Sequence, residues 1–126
     1  MSELYKKRIL IVDDEPMLIQ GLEKALQSDR VEVVTMETGR AALEHIAVSE
    51  YHLCFLDVFL PDMAGTDVLE KIAVLSPKTK VIMMSAGVIS SAMKETIERI
   101  AYMFIAKPFD LLHVRMLARR LIEESV

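Results

Sequence analysis

The chain has 126 residues, of which 52% are hydrophobic and 27% charged, and its formal net charge at pH 7 is −4. This length predicts one domain over residues 1–126, with a core over about 7–124 and no separate output module. Its short apolar runs exclude a membrane span, its scattered basic residues argue against direct nucleic-acid binding, and its single cysteine without a signal-peptide pattern predicts a cytoplasmic protein.

Five strand-like apolar runs alternate with helical patterns along the chain. We predict strands over about residues 8–13, 31–35, 52–57, 80–85 and 102–106. The intervening stretches repeat apolar residues at helical spacing, beginning at Asp14-Glu15-Pro16 and ending with a helix over about residues 110–124. This repetition predicts an α/β fold with a five-stranded parallel sheet and helices on both faces.

Acidic residues close two of these strands. Asp13 and Asp14 follow the run Ile9–Val12, and Asp57 follows the run Leu53–Leu56. Runs this apolar indicate strands buried on both faces of a parallel sheet, and the carboxyl edge of such a sheet is where open α/β folds keep their sites. Three carboxylates gathered there repel one another unless a hard divalent cation neutralises them. We therefore predict a Mg²⁺ site at Asp13, Asp14 and Asp57.

The fourth and fifth strands end in a hydroxyl and an amine, those of Ser85 and Lys107. A lysine near a metal-bound acid cluster can pair with an oxyanion, and a hydroxyl on the neighbouring strand can donate to a second oxygen. Such a pocket suits a phosphoryl group, whose developing charge the cation and the lysine would stabilise. Aspartate is a competent phosphoryl acceptor.

Four short motifs occur at the ends of these predicted strands, and their order is more specific than any one of them. They are Val12-Asp13-Asp14, Asp57 with Leu60-Pro61-Asp62-Met63-Ala64-Gly65, Ser85-Ala86, and Lys107-Pro108-Phe109. In this order they resemble the motifs of response-regulator receiver domains, the CheY-like superfamily of two-component signal transduction. The resemblance covers nearly the whole chain and implies a single receiver domain with a (βα)5 flavodoxin-like fold and strand order 2-1-3-4-5.

The resemblance also implies a role for each acid of the site. Asp57 would accept the phosphoryl group, Asp14 would bind Mg²⁺ directly, and Asp13 would bind it largely through metal-bound water. Phe59 would contribute its backbone carbonyl to the same ion.

Further positions take their roles from the same resemblance. Ser85 and Lys107 would hold the phosphoryl oxygens. On phosphorylation Ser85 would move toward the phosphate, and the ring of Phe104 would rotate inward behind it. The Lys107-Pro108 bond resembles the family's cis peptide, a form that proline makes accessible.

The function implied is that of a phosphorylation-activated switch. A sensor histidine kinase or a histidine phosphotransfer protein would transfer a phosphoryl group to Asp57. The surface of the fourth helix, fifth strand and fifth helix would then change and control a downstream protein or output domain, and it would also allow a phosphorylation-dependent homodimer. The receiver would catalyse only its own phosphorylation and dephosphorylation, so we do not expect a turnover enzyme.

Two residues near the expected acceptor bear on how water would reach the phosphate. Phe59 places a bulky apolar side chain two residues after Asp57, beside the route by which water reaches the phosphate. We therefore hypothesise that Phe59 slows hydrolysis of the phosphorylated form. Gly87, two residues after Ser85, is expected to leave the other side of that route open.

Other interpretations stay open from the residues alone. Asp13 and Asp14 would suit the first turn of a helix, where acids interact favourably with the dipole. A phosphorylation-independent interaction module is the main alternative, although the chain retains Asp57, Asp14 and Lys107. A Mg²⁺-dependent phosphatase is disfavoured because there is no Asp-x-Asp pair around a nucleophile and no Gly-x-x-x-x-Gly-Lys loop. The residues are compatible with both a stand-alone receiver and one that belongs to a longer regulator.

The remaining polar candidates are assigned to structure. Asp62 and Asp67 suit the loop and the start of the third helix better than the metal. The three histidines have no spacing typical of a metal site, and we interpret them as structural or surface residues: His45, His52 and His113.

Overall fold

The computed structural model of the protein describes residues 6–124. Within these residues strands and helices alternate: β1 (Lys7–Val12), α1 (Pro16–Leu26), β2 (Val31–Met36), α2 (Gly39–Val48), β3 (Leu53–Asp57), α3 (Gly65–Leu75), β4 (Lys80–Ser85), α4 (Ser91–Ile100), β5 (Met103–Ala106) and α5 (Leu111–Glu124). The predicted elements are confirmed, with small shifts at their ends. β1 ends at Val12 rather than Asp13, and β5 begins at Met103 rather than Tyr102.

The five strands form one parallel sheet in the order β2-β1-β3-β4-β5, which confirms the predicted fold and strand order. The register sets Val12 of β1 beside Leu56 of β3, and Ser85 of β4 beside Ala106 of β5. The residues that follow these positions therefore emerge along one edge of the sheet. It is the carboxyl edge, where the sequence predicts the site.

Helices cover both faces of the sheet, and alternate residues of the central strands point to opposite layers. In β1, Leu10 and Val12 pack in a cluster with side chains of α2, α3 and α4, whereas Ile9 and Ile11 pack in a second cluster with α1 and α5. Each of the four is fully buried. Such burial contributes about 1.5–3 kcal/mol per large apolar side chain. The strand that precedes Asp13 and Asp14 is therefore firmly packed in the core.

Three helices that begin near this edge have residues typical of helix starts at their N-termini. Pro16 occupies the start of α1. The hydroxyl of Thr38 accepts the N–H of Ala41 at 3.1 Å to cap α2, and Ser90 accepts the N–H of Met93 at 3.2 Å to cap α4. Over residues 6–124, no helix has both the length and the apolar character needed to cross a membrane.

Candidate functional site

Three carboxylates converge at the carboxyl edge of the sheet. Asp13 and Asp14 directly follow β1, and Asp57 is the last residue of the neighbouring β3. Asp13 is 0% exposed and Asp57 is 5% exposed, whereas Asp14 faces solvent. One carboxylate oxygen from each acid lies within 4.8 Å of the other two. The structure brings together the three acids that the sequence pattern indicated, and their hard oxygen donors fit a Mg²⁺ ion.

The side chain of Lys107 reaches this cluster from the end of β5. Its Nζ lies 2.7 Å from Oδ2 of Asp13, 2.9 Å from Oδ2 of Asp57 and 2.6 Å from Oε1 of Glu15. Only 7% of the lysine side chain is exposed. One cation is therefore shared among three carboxylates, which leaves the cluster with excess negative charge. The peptide bond between Lys107 and Pro108 is cis.

Glu15 is a member of this cluster that sequence reasoning missed. Besides its ion pair with Lys107, its backbone N–H donates to Oδ1 of Asp13 at 2.9 Å. A signal was available, because Glu15 directly follows the Asp13-Asp14 pair. It was interpreted only as part of the start of α1.

Burial and neighbouring charges shift the pKa values of Asp13 and Lys107. Burial raises the pKa of Asp13 above its usual range, and the negative charge of Asp57 adds to this, while the bonds from Lys107 and the N–H of Glu15 oppose it. Burial by itself would lower the pKa of Lys107, but its bonds to Asp13, Glu15 and Asp57 together raise that pKa well above its ordinary value. Lys107 is therefore charged at neutral pH, and the buried acid beside it resists ionisation.

Both oxygens of Asp57 have hydrogen-bond donors. Oδ2 contacts Lys107, and Oδ1 accepts the backbone N–H of Phe59 at 3.0 Å. The chain then folds back, because the N–H of Gly65 donates to the carbonyl of Val58 at 2.6 Å. A Cβ at position 65 would overlap the backbone carbonyl of Asp57. Only glycine permits this close approach, which begins α3 directly behind the acid.

Ser85 lies at the end of β4 and Phe104 lies in β5, and within residues 6–124 the Ser85 hydroxyl has no hydrogen bond to the acids. The Ser85 side chain is buried, and its Oγ accepts the N–H of Gly87 at 3.1 Å and donates to the Gly87 carbonyl at 3.2 Å. Phe104 lies beside Met83 in the sheet and is 38% exposed. The hydroxyl is thus engaged in its own loop, and the aromatic ring reaches solvent.

The ring of Phe59 lies against Gly87. A Cβ at position 87 would stand 3.2 Å from Cε2 of Phe59, so the ring occupies the space that a side chain there would need. This corrects the expectation that Gly87 leaves one side of the water route open. The loops after β3 and β4 meet at this contact, because the small residue on one admits the large residue on the other.

Two other polar residues also have defined partners. Asp62 lies in the loop before α3, as expected, but the helix start that it caps is that of α2: its Oδ1 accepts the N–H of Gly39 at 2.9 Å and its Oδ2 the N–H of Arg40 at 3.0 Å. His52 is structural, since its Nδ1 accepts the backbone N–H of Arg8 at 3.0 Å.

Comparison with known proteins agrees with this geometry. A family model described as the response regulator receiver domain matches residues 9–119. The transcriptional regulatory protein CutR of Streptomyces coelicolor is 36% identical over 117 residues, which cover 90% of this chain and 54% of CutR. The response regulator protein PilR of Pseudomonas aeruginosa is 33% identical over 115 residues, covering 90% of this chain and 26% of PilR. The chain spans about half the length of the first relative and about a quarter of the second.

A solved structure gives the same result at the level of the fold. The crystal structure of a response regulator receiver domain protein (CheY-like) from Methanospirillum hungatei superposes with a TM-score of 0.87 at 30% identity. The superposition covers 95% of this chain and 96% of the other.

Proposed function

The chain belongs to the family of response regulator receiver domains, and on that premise we propose that it is a phosphorylation-activated switch whose acceptor is Asp57. The observation that carries the proposal is the nearly buried carboxylate of Asp57 at the sheet edge, in contact with Lys107 and close to Asp13. The donor would be the phosphohistidine of a sensor histidine kinase or of a phosphotransfer protein. The domain would act on its own aspartate and would not turn over a separate substrate.

In the proposed transfer, an oxygen of Asp57 forms a bond to phosphorus while the N–P bond of the phosphohistidine breaks. The electron pair of that bond stays on the leaving imidazole nitrogen. Lys107 Nζ, at 2.9 Å from Oδ2 of Asp57, is near enough to pair with a phosphoryl oxygen as charge develops. The N–H of Phe59 holds Oδ1 and so fixes the orientation of the carboxylate.

The acids of the cluster would also hold a Mg²⁺ ion. Asp13, Asp14 and Asp57 supply carboxylate oxygens, and the backbone carbonyl of Phe59 would be a further ligand. When bound, the ion would reduce the repulsion between the Asp57 carboxylate and the phosphoryl oxygens. Lys107 offsets part of the same negative charge through its own ion pairs.

Ser85 and Phe104 would convert phosphorylation into a change of shape. To donate to a phosphoryl oxygen, Ser85 must give up the bond that its hydroxyl donates to the Gly87 carbonyl. The partly exposed ring of Phe104 would then turn inward. Reversing a 1:99 population takes about 5.5 kcal/mol of differential interaction, which the phosphate contacts of Ser85 and Lys107 must supply.

The surface of α4, β5 and α5 would carry the output. Its exposed apolar side chains include Phe104 on β5 and Leu112 and Met116 on α5, which suits contact with another protein. The partner would be a downstream protein, an output domain, or a second phosphorylated copy of this chain. Because relatives such as CutR are about twice as long, an output domain in the same polypeptide is one form of this proposal.

The test is intact mass after incubation with acetyl phosphate, in Mg²⁺ or in excess chelator, for the wild type and Asp57→Asn. We expect a phosphoryl adduct on the wild type in Mg²⁺ and on neither protein in chelator. Asp57→Asn should stay unmodified in Mg²⁺ because an amide is a poor acceptor. A folded wild type that takes no adduct would contradict the proposal and favour an interaction module that works without phosphorylation.

A further inference from the structure

We propose that Asp62 is a positioning residue for the acceptor site, because it ties the loop of residues 58–64 to the start of α2 and thereby holds the Phe59 backbone beside Asp57. The inference rests on the function proposed above. It concerns a residue that neither touches the acceptor nor binds the metal. Its role would be exerted through the loop, whose other end carries the N–H that contacts Asp57.

The loop is compact and closed at its base. Phe59 and Ala64 face each other in an isolated antiparallel bridge, and the N–H of Gly65 donates to the carbonyl of Val58 at 2.6 Å. At the same base, the N–H of Phe59 donates to Oδ1 of Asp57 at 3.0 Å. A displacement of the loop tip is therefore transmitted to the Phe59 backbone over only a few residues.

Asp62 lies at the tip and anchors it through both carboxylate oxygens. Oδ1 accepts the N–H of Gly39 at 2.9 Å, and Oδ2 accepts the N–H of Arg40 at 3.0 Å. The first N–H groups of a helix have no acceptor within the helix, and the positive end of its dipole favours an anion there. These two bonds, that of Gly39 foremost, hold the pKa of Asp62 below its usual value, so the anchor is ionised at neutral pH.

A second contact holds the tip of the loop against the start of α2. A Cβ at Gly39 would lie 2.6 Å from Cγ of Met63 and 2.8 Å from Cγ2 of Val68. The side chain next to Asp62 therefore rests directly on the α2 glycine. Polar and apolar contacts therefore hold the loop tip on α2 together, and the tip does not depend on a single surface hydrogen bond.

α2 does not need Asp62 merely to begin, since it has a cap of its own. Oγ1 of Thr38 accepts the N–H of Ala41 at 3.1 Å. Thr38 and Asp62 thus satisfy different N–H groups of one helix start, and of these two residues Asp62 is the one that joins that start to the loop of residues 58–64. Thr38→Ala is the matched control for loss of a cap without loss of the tether.

The experiment compares Asp62→Ala with Thr38→Ala in three measurements. They are unfolding by urea, Mg²⁺ binding by titration calorimetry, and amide hydrogen exchange of Phe59 in the metal-free protein. We expect both variants to be less stable, but only Asp62→Ala to exchange faster at Phe59 and to weaken Mg²⁺ binding, by about tenfold as for other residues that support metal ligands. Asp62→Asn keeps one oxygen acceptor and should recover part of the loss.

Removing Asp62 also removes one negative charge from the protein, so a charge control is needed. Asp67→Asn makes the same change in net charge from the exposed first turn of α3. It should leave Phe59 exchange unchanged and weaken Mg²⁺ binding less than Asp62→Ala does. If Asp67→Asn or Thr38→Ala matches Asp62→Ala in both readouts, or if Asp62→Ala leaves Phe59 exchange unchanged, the positioning role is overturned. The exchange measurement needs neither Mg²⁺ nor phosphate, so it distinguishes failure of this inference from failure of the proposed function.

Discussion

Lys107 Nζ and Asp57 Oδ2 lie 2.9 Å apart, although 50 positions separate the two residues in the chain. The same amine also contacts Asp13 and Glu15. A single lysine thus serves several carboxylates, and the metal-free cluster keeps an excess of negative charge in a mostly buried place. The acids that would hold Mg²⁺ are therefore expected to reduce the stability of the metal-free fold.

Asp13→Asn is predicted to stabilise the protein in chelator at pH 7. Burial raises the folded-state pKa of Asp13 above its ordinary 3.8, so charging this acid opposes folding, and stability falls as pH rises through the raised pKa. Asparagine removes that loss. We would follow urea unfolding by circular dichroism. The urea midpoint of the variant should be higher than that of the wild type at pH 7, and the difference should be smaller at pH 4.

In Mg²⁺ we expect the wild type to be more stable than Asp13→Asn, the reverse of the order in chelator. A ligand at 100 times its Kd stabilises the folded state by about 2.7 kcal/mol, and Asp13→Asn should gain less because it lacks the negative charge of the proposed Asp13 ligand. A variant that is less stable than the wild type in chelator at pH 7 would contradict the prediction.

Phe59→Ala is predicted to shorten the lifetime of the phosphorylated form. The ring of Phe59, two residues after the proposed acceptor Asp57, lies against Gly87, and we expect its removal to open a path for water to the phosphoryl group. Decay of the phosphoryl adduct, followed by intact mass after removal of the donor, should be faster. A tenfold change would correspond to about 1.4 kcal/mol of barrier. Tyr102→Ala, which removes a ring of similar exposure just before β5, serves as the control, and equal decay in Phe59→Ala and the wild type would refute the role.

His52 should make stability depend on pH near neutrality. Burial, helped by the charge of Lys7, lowers the folded-state pKa of His52 below its ordinary 6.5, and the neutral Nδ1 accepts the N–H of Arg8. The stabilising contribution is therefore complete above pH 6.5 and is lost as pH falls through the lowered folded pKa. His52→Asn, whose amide oxygen can accept the same bond, should flatten the pH dependence of the urea midpoint between about pH 7.5 and pH 5. His113→Asn, on the exposed side of α5, should keep the wild-type profile.

Gly65→Ala is predicted to destabilise the fold by about 3 kcal/mol or more, at the upper end for overpacked sites. Its Cβ would overlap the Asp57 carbonyl and lie 2.8 Å from the Cα of Val58, and backbone atoms cannot move aside cheaply. Gly21→Ala is the matched control. Its Cβ would meet only the flexible end of Leu111 at 3.2 Å, while alanine improves helix propensity in α1 by about 1 kcal/mol. Urea midpoints should fall for Gly65→Ala and stay level or rise for Gly21→Ala.

The strands and the acid cluster were predictable because their determinants are local. A parallel strand buried on both faces requires a continuous apolar run, as Ile9–Val12 and Leu53–Leu56 provide. An acid that closes such a run must emerge at the carboxyl edge. The convergence of Asp13 and Asp57 follows once β1 and β3 are neighbours, which the register confirms.

Contacts between loops and helix ends could not be predicted in the same way. Asp62 and Asp67 were together assigned to the loop and the start of α3, but the Asp62 partners Gly39 and Arg40 begin α2. Glu15 was interpreted as part of a helix start, yet it pairs with Lys107 from the other end of the chain. Likewise, Phe59 and Gly87 belong to separate loops whose contact depends on how β3 and β4 align.

Short segments of the chain specify the order of strands and helices along it and the edge of the sheet at which the acids emerge. These features follow from hydrophobic periodicity and from the end of each apolar run, which a single segment carries. The packing of distant segments against one another specifies which oxygens Lys107 contacts, which helix start Asp62 caps, and which ring lies against Gly87. Such contacts join residues far apart in the chain over a few ångströms, and their geometry exists only when all the elements are packed together.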